Sequence, residues 1–202
     1  MSKAAWSFGT RLATAVLVFA SVSCGTLTRQ GTSPAYLIVQ ELEAASGADD
    51  TTFVGVLLSD VVTVVDGSPS IFNDVARVTF GLGLKDPGPA ATPVAPTQAN
   101  WISLDRYHIR YIRSDGHNIE GVDVPYAFDG GIAGTVSDQT TISFQIVRHQ
   151  AKIEAPLAAL ATNGVIISTI AEITFYGHDQ TGRAVSTTAT FSVNFGNFAD
   201  PS

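Results

Sequence analysis

The stretch RAVSTTATFSVNF, residues 183–195, has the clearest structural pattern in this chain of 202 residues. Every second residue would lie on the same face of a strand, and most of these residues are apolar: Val185, Thr187, Ala189, Phe191, Val193 and Phe195. The residues between them are small and polar: Ser186, Thr188, Thr190, Ser192 and Asn194. Because successive side chains of a β-strand point to opposite faces of the sheet, this alternation predicts a strand with one buried face.

A second strand is predicted just before the first. Residues 165–176 (VIISTIAEITFY) are rich in β-branched and aromatic side chains, which favour strands. The connecting sequence GHDQTG contains Asp179 and Gly182, two residue types that form tight turns. We therefore expect the two stretches to pair as an antiparallel hairpin.

The rest of the chain follows the same pattern. Six more stretches predict strands: residues 36–43, 53–65 with a break at Ser59-Asp60, 75–84, 101–113, 122–128 and 140–148. Residues 154–164 predict one short helical turn between Pro156 and Asn163-Gly164. About eight strands at short spacing predict an all-β fold, an antiparallel β-sandwich. The order of the strands resembles that of immunoglobulin-like or fibronectin type III-like domains. This resemblance concerns the fold and does not indicate a function.

The N-terminus has the polarity of a secretory signal. Lys3 and Arg11 supply positive charge, and residues 12–20 (LATAVLVFA) are apolar. Nine residues are too few to cross a bilayer, which takes about 20. The small residues Ser21, Val22 and Ser23 then lead to Cys24, the single cysteine of the chain. We expect residues 1–23 to be a signal peptide.

This leader resembles a bacterial lipoprotein signal, in which a lipobox ends in a cysteine that is acylated and becomes the new N-terminus. Ser21 stands where that family usually has leucine. The resemblance covers only the leader and implies lipidation of Cys24. The small, polar residues of 24–34 predict a flexible tether, and the recurring strands predict a β-sandwich domain over residues 35–202. Gly25 after the cysteine implies the outer membrane. The alternative is cleavage by an ordinary signal peptidase, which would leave a periplasmic or secreted protein.

The chain that remains after cleavage is acidic. Without Lys3 and Arg11 it has nine basic and eighteen acidic residues, a formal charge of −9. This balance disfavours binding to nucleic acid and to anionic lipid head groups. We therefore expect the membrane to be reached through the lipid anchor, and the partner to be another envelope protein.

Three common catalytic or cofactor-binding motifs are absent from the sequence. It contains neither the HExxH pattern of zinc hydrolases nor the GxSxG pattern of serine hydrolases. The glycine-rich stretch GLGLKD, residues 81–86, lacks the third glycine of a dinucleotide-binding loop. We expect no enzymatic activity and no cofactor. The expected function is that of a non-catalytic envelope lipoprotein, an interaction or assembly module.

One glycine-rich region concentrates oxygen ligands. The candidate calcium ligands in residues 113–131 are Asp115, Asn118, Glu120, Asp123 and Asp129. Calcium prefers oxygen ligands on turns, but His117 stands where a second oxygen ligand of the usual calcium loop would lie. Asp-Gly and Gly-Gly pairs are also typical of ordinary turns. A calcium- or carbohydrate-binding secreted module is the alternative function.

A cluster of cations lies on one predicted strand. Arg106, His108 and Arg110 alternate with apolar residues, and Arg113, Arg148 and Lys152 follow along the chain. If the strands pair, these side chains predict a basic patch for an acidic partner or an anionic polysaccharide. The alternative is that the cations pair with Asp or Glu on neighbouring strands, at about 0.2–1 kcal/mol for each pair.

Overall fold

A computed structural model describes residues 32–198. Strands make up 54% of the structure and helices 8%, so the all-β class predicted from the sequence is confirmed. Ten strands form within the described residues, and the predicted number of about eight is too low. The signal sequence, Cys24 and most of the predicted tether lie outside the described residues.

The strands run in chain order as follows: β1 (Ala35–Ala45), β2 (Val56–Asp60), β3 (Thr63–Val65), β4 (Ser68–Ser70), β5 (Asp74–Leu84), β6 (Ile102–Ile112), β7 (Phe128–Val136), β8 (Thr140–Val147), β9 (Ile167–Asp179) and β10 (Ala184–Gly196). The α-helices are α1 (His149–Lys152) and α2 (Leu160–Asn163). Short 3₁₀ turns lie at Gln98–Asn100 and Leu157–Ala159. None of the helices among these residues is long and apolar enough to cross a membrane.

Two main sheets form the body of the protein. The three-stranded sheet has the order β1-β5-β8, and the five-stranded sheet, which curls, has the order β2-β10-β9-β6-β7. Neighbouring strands are antiparallel except for β2 and β10, which are parallel. The short strands β3 and β4 pair only with each other. The fold is therefore mostly, but not entirely, antiparallel.

The predicted hairpin is formed by β9 and β10. Asp179 and Gly182 make the turn: the carbonyl of Asp179 accepts the N–H of Gly182 at 2.9 Å, and Gly182 has a φ of 82°. The Oδ1 atom of Asp179 also accepts the backbone N–H groups of Thr181 and Arg183. Val185 and Phe191 are buried on the inner face of β10, while Ser186 is exposed. The predicted alternation of buried and exposed residues is confirmed.

The two sheets share one core. Phe175 of the five-stranded sheet makes edge-to-face contacts with Phe80 and Phe144 of the three-stranded sheet, at centroid distances of 5.0 and 5.3 Å. Tyr107 contacts Phe144 at 5.1 Å. The hydroxyl of Tyr111 donates to the carbonyl of Ile146 across the same gap. These contacts place the aromatic side chains between the sheets and leave the other face of the five-stranded sheet open.

Several local predictions were wrong. Residues 122–128 do not form a strand, and the strand of this region is β7, which starts only at Phe128. The sequence FDGGIAGTV of β7 looks like a turn, but Gly130 lies beneath Tyr107, where a Cβ would come within 2.1 Å of the tyrosine ring. The strand β4 and the helix α1 were also missed. The helical turn predicted for residues 154–164 is present as Leu157–Ala159 and α2.

Candidate interaction surface

The outer face of the five-stranded sheet, here called the open face, is a grid of polar and apolar side chains. The strand registers define four rows across it: Val56, Ser192, Ile170 and Ile112; Thr190, Glu172 and Arg110; Thr188, Thr174, His108 and Asp129; and Ser186, Tyr176, Arg106 and Gly131. The first row is mainly apolar, and the next three carry charge. A shallow groove of about 290 Å³ lies at the apolar end.

The predicted basic residues of β6 lie together on the open face, and each is close to an acidic group. Arg110 donates to Glu172 at 2.7 Å, and this contact lowers the pKa of the glutamate. His108 Nδ1 lies 3.1 Å from a carboxylate oxygen of Asp129, and Arg106 lies 3.6 Å from the same oxygen. The cross-strand pairs considered from the sequence are thus present. Binding of an acidic partner stays a prediction.

The three other cations proposed for this patch lie elsewhere. Arg113 pairs with Asp115 in the loop after β6, and the guanidinium of Arg148 lies 4.4 Å from the ring centroid of Phe128. Lys152 is 2% exposed and lies in the interior. It does not contribute to a surface patch.

A second histidine–carboxylate pair lies near the other end of the open face. His178 Nδ1 is 3.0 Å from Oδ2 of Asp105. Asp105 is the extra residue of a β-bulge between Leu104 and Arg106. The bulge brings the carbonyl of Ser103 so close to Gly177 that a Cβ there would lie 2.2 Å away. The sequence gives no sign of this pair, because a bulge is not visible in the alternation of residues.

Residues 113–127 form the β6–β7 loop, which is held by its own hydrogen bonds. The N–H of Arg113 donates to the side chain of Asn118 at 2.6 Å. The carbonyl of Ile119 accepts the N–H groups of Val122, Asp123 and Val124. Asp123 closes the turn by accepting the N–H of Ile119. Val124 is fully buried and anchors the loop in the core.

Several of the oxygen atoms that were proposed to bind calcium accept hydrogen bonds instead. Asp115 accepts from the guanidinium of Arg113 and from the N–H of His117, which lowers its pKa to about 2. Asn118 and Asp123 serve in the turns of the loop, and Asp129 lies on β7 beside His108. Within residues 32–198, no three His, Cys, Asp or Glu side chains group to hold a metal. The structure does not bring the five candidates, including Glu120, to one point.

The β6–β7 loop instead presents apolar side chains to solvent. Ile119 is 65% exposed, Val122 64% and Tyr126 50%. The ring of Tyr126 lies over Gly121, where a Cβ would come within 2.3 Å of the tyrosine hydroxyl. The sequence does not readily reveal these exposed apolar side chains, because turn-forming residues lie on both sides of each of them. The pattern IEGVDVPY does alternate apolar residues with turn residues, and that was the available signal.

A buried polar cluster lies between the sheets and α1. Lys152 donates to Asp74 at 2.8 Å, and Asp74 also accepts from Ser59 and from the N–H of Gly47. Burial raises the pKa of Asp74, while the charge of Lys152 acts in the opposite direction. Asp74 and Ser59 are fully buried, so solvent does not reach the cluster. We assign it to stability.

No model of a known protein family matches this chain, and a comparison with curated proteins finds no significant match. A proposal about function therefore depends on the sequence and the geometry described above.

Proposed function

We propose that this chain is a non-catalytic module, held at the outer membrane of a bacterial envelope by acyl chains on Cys24, that binds another envelope protein through the β6–β7 loop. The observation that supports the loop as a contact site is the exposure of Ile119, Val122 and Tyr126 on a frame held by hydrogen bonds. Binding removes apolar area from water, and a preformed loop loses little conformational entropy when it binds.

The proposal for the anchor is supported by the leader alone. Two or three acyl chains, at about 0.8 kcal/mol per buried CH₂, hold a protein on a membrane durably. The acidic body gives no attraction of its own to anionic head groups, since without Lys3 and Arg11 it has a formal charge of −9. An immunoglobulin-like arrangement of the two sheets is part of the same proposal and is supported by their shared aromatic core.

The anchor is tested by intact-mass analysis of the membrane fraction from native expression. We expect the wild-type chain to start at Cys24 and to carry acyl groups, and the Cys24→Ala variant to lack both. Unmodified protein released to the medium from both strains would contradict the anchor and favour the periplasmic or secreted alternative.

The loop is tested by cross-linking in intact cells, with the double variant Ile119→Asp/Val122→Asp. We expect this variant to lose a cross-linked product that the wild type forms, because charged side chains resist burial in an interface. The matched control is Val94→Asp, which changes a valine that is 58% exposed in another loop. A product that survives in the double variant, or that is lost equally in the control, would contradict a role for the loop.

Calcium or carbohydrate binding is the competing function. Asp115, Asn118 and Asp123 already have hydrogen-bond partners within the loop, so we expect millimolar calcium to leave the melting temperature of the protein unchanged relative to EDTA. A clear rise with calcium would favour the competing function.

A further inference from the structure

The strand β2 is the last strand of the five-stranded sheet, and within residues 32–198 no strand pairs with its outer edge along Val56–Asp60. On one side it pairs with β10 over Val56–Asp60. On the other side the described residues provide a single bridge, between Val54 and Ala44 just before the strand. An edge strand presents backbone N–H and C=O groups that can pair with an added strand.

Two grooves flank this edge strand. The groove of about 290 Å³ at the apolar end of the open face is lined by Val56 together with Ile112 and Ile170. A second groove, of about 260 Å³, is lined by Val56, Leu57 and Leu58 on one side and by Ser46, Asp49 and Thr52 on the other. Space for another chain therefore exists beside β2 as well as above it.

The side chains of β2 leave its edge unprotected. Val56 is 48% exposed and Leu58 51%, and the strand has the sequence VLLSD. Proteins usually block an exposed edge with lysine, proline or a bulge. In β2 the single charged residue is Asp60 at the end, where it accepts the N–H of Phe198 and the hydroxyl of Thr63.

The charges near the outer edge of β2 indicate which kind of peptide segment would bind there. Asp49 lines the second groove, and hydrogen bonds from Thr51 and Thr52 lower its pKa from 3.8 to about 2, so its negative charge persists even in mild acid. Neither groove has a lysine or arginine among its lining residues. A second copy of this chain would bring another acidic body, with a formal charge of −7 for the whole sequence. Electrostatic repulsion thus disfavours a second copy and favours a cationic segment.

We propose that the outer edge of β2 accepts an added strand from another protein, an extended segment with alternating apolar residues and a lysine or arginine beside Asp49. The backbone of β2 supplies hydrogen bonds along the segment. Val56 and Leu58 cover its apolar side chains, and Asp49 pairs with its cationic end. This inference does not rest on the β6–β7 loop or on the lipid anchor.

The test uses a defined peptide and the full ¹⁵N-labelled chain. The probe is a blocked seven-residue peptide of alternating valine and threonine with a lysine at each end. We expect saturable shifts of the backbone amides of β2. One control peptide has N-methyl groups on the central valines, and another has glutamate in place of lysine. Each should bind about tenfold more weakly, because it lacks hydrogen bonds or charge complementarity.

Protein variants locate the site. Val56→Lys should weaken binding of the peptide about tenfold or more, because its ammonium occupies the groove and repels the lysines of the peptide. Val65→Lys, at a valine of β3 that is 42% exposed, should bind like the wild type. Val56→Thr keeps a β-branched side chain that suits a strand at this half-exposed position, and it should bind within about threefold of the wild type. This variant separates loss of the site from loss of the fold.

Three outcomes would overturn the proposal. The first is equal binding of the N-methylated peptide, and the second is shifts confined to residues outside β2. The third is a dimer of the wild-type chain in sedimentation experiments, if Val56→Lys abolishes that dimer. The occupant of the edge would then be a second copy of the chain.

Discussion

Asp74 and Lys152 are opposite charges held together in the interior. Their side chains are 0% and 1% exposed, and each would be costly to bury alone. Pairing at 2.8 Å, with further bonds to Asp74 from Ser59 and Gly47, offsets that cost. The sequence does not reveal the pair, because the two residues are 78 positions apart and lysine is usually exposed.

Replacement of Lys152 by methionine should therefore destabilise the protein strongly. The change leaves a buried carboxylate without its cation, and we expect a loss of about 3–5 kcal/mol in the free energy of unfolding. Urea denaturation measures this loss. The control is Lys85→Met at an exposed lysine, which should change stability by less than about 0.5 kcal/mol. A cost below about 1 kcal/mol for Lys152→Met would show that the pair does not stabilise the fold.

Asp115 provides a prediction about pH. Its pKa is lowered to about 2 from an ordinary value of 3.8, first of all by hydrogen bonds from Arg113. A lowered pKa stabilises the fold above the ordinary value, and this stabilisation is lost as the pH falls through about 2. Arg113→Gln should move the pKa of Asp115 up toward 3.8, as measured by a carboxyl ¹³C NMR titration. An unchanged titration curve would rule out Arg113 as the cause.

The hairpin of β9 and β10 is the element that the sequence predicts best. Both strands and the turn residues are local features, so the alternation of residues and the Asp-x-x-Gly pattern are sufficient to place them. The structure adds the reason for the glycine, which is its φ of 82°. It also shows that the side chain of Asp179 stabilises the turn by accepting the backbone N–H groups of Thr181 and Arg183.

Gly182→Ala should weaken this hairpin. A left-handed backbone costs a residue with a Cβ about 1–2 kcal/mol, and we expect that loss in urea denaturation. Gly55→Ala is a matched control, because an added Cβ meets nothing within 4 Å at either position and only Gly182 has a positive φ. Equal stability of the two variants would mean that the turn tolerates a side chain.

The strand β7 marks the limit of prediction for single elements. Its glycines are typical of turns, and β7 is a strand because β6 pairs along it and Tyr107 fills the space above Gly130. The same limit applies to the candidate site. The cations of β6 were found from their alternation, whereas their acidic partners Glu172 and Asp129 became visible only with the strand register. Local patterns identify strands, and pairing depends on residues far away in the chain.

For the whole molecule, the sequence predicts the class of the fold but not the composition of each sheet. The all-β class follows from strands that recur along the whole chain. The parallel pairing of β2 with β10 could not be predicted, because neither strand differs in pattern from its antiparallel neighbours. The core then depends on a few aromatic contacts that join the two sheets, with Phe175 between Phe80 and Phe144.

Phe175→Ala should consequently destabilise the entire protein. A fully buried phenylalanine replaced by alanine costs about 3–5 kcal/mol, since the cavity is only partly filled by neighbours. Phe72→Ala, at a phenylalanine that is 36% exposed, should cost about 1 kcal/mol or less. Thermal unfolding followed by near-UV circular dichroism compares the two variants. Similar melting temperatures would contradict a core centred on Phe175.

The parallel pairing of β2 with β10 also sets an order of events during synthesis. The bond from the N–H of Phe198 to Asp60 spans 138 positions, so the chain must be synthesised through residue 198 before this bond can form. Contacts between such distant segments close late, because a long loop must be ordered first. The segment Val56–Asp60 is synthesised long before β10, and until β10 is made it has no partner strand. A newly made molecule thus passes through an interval in which both sides of β2 are available to chaperones.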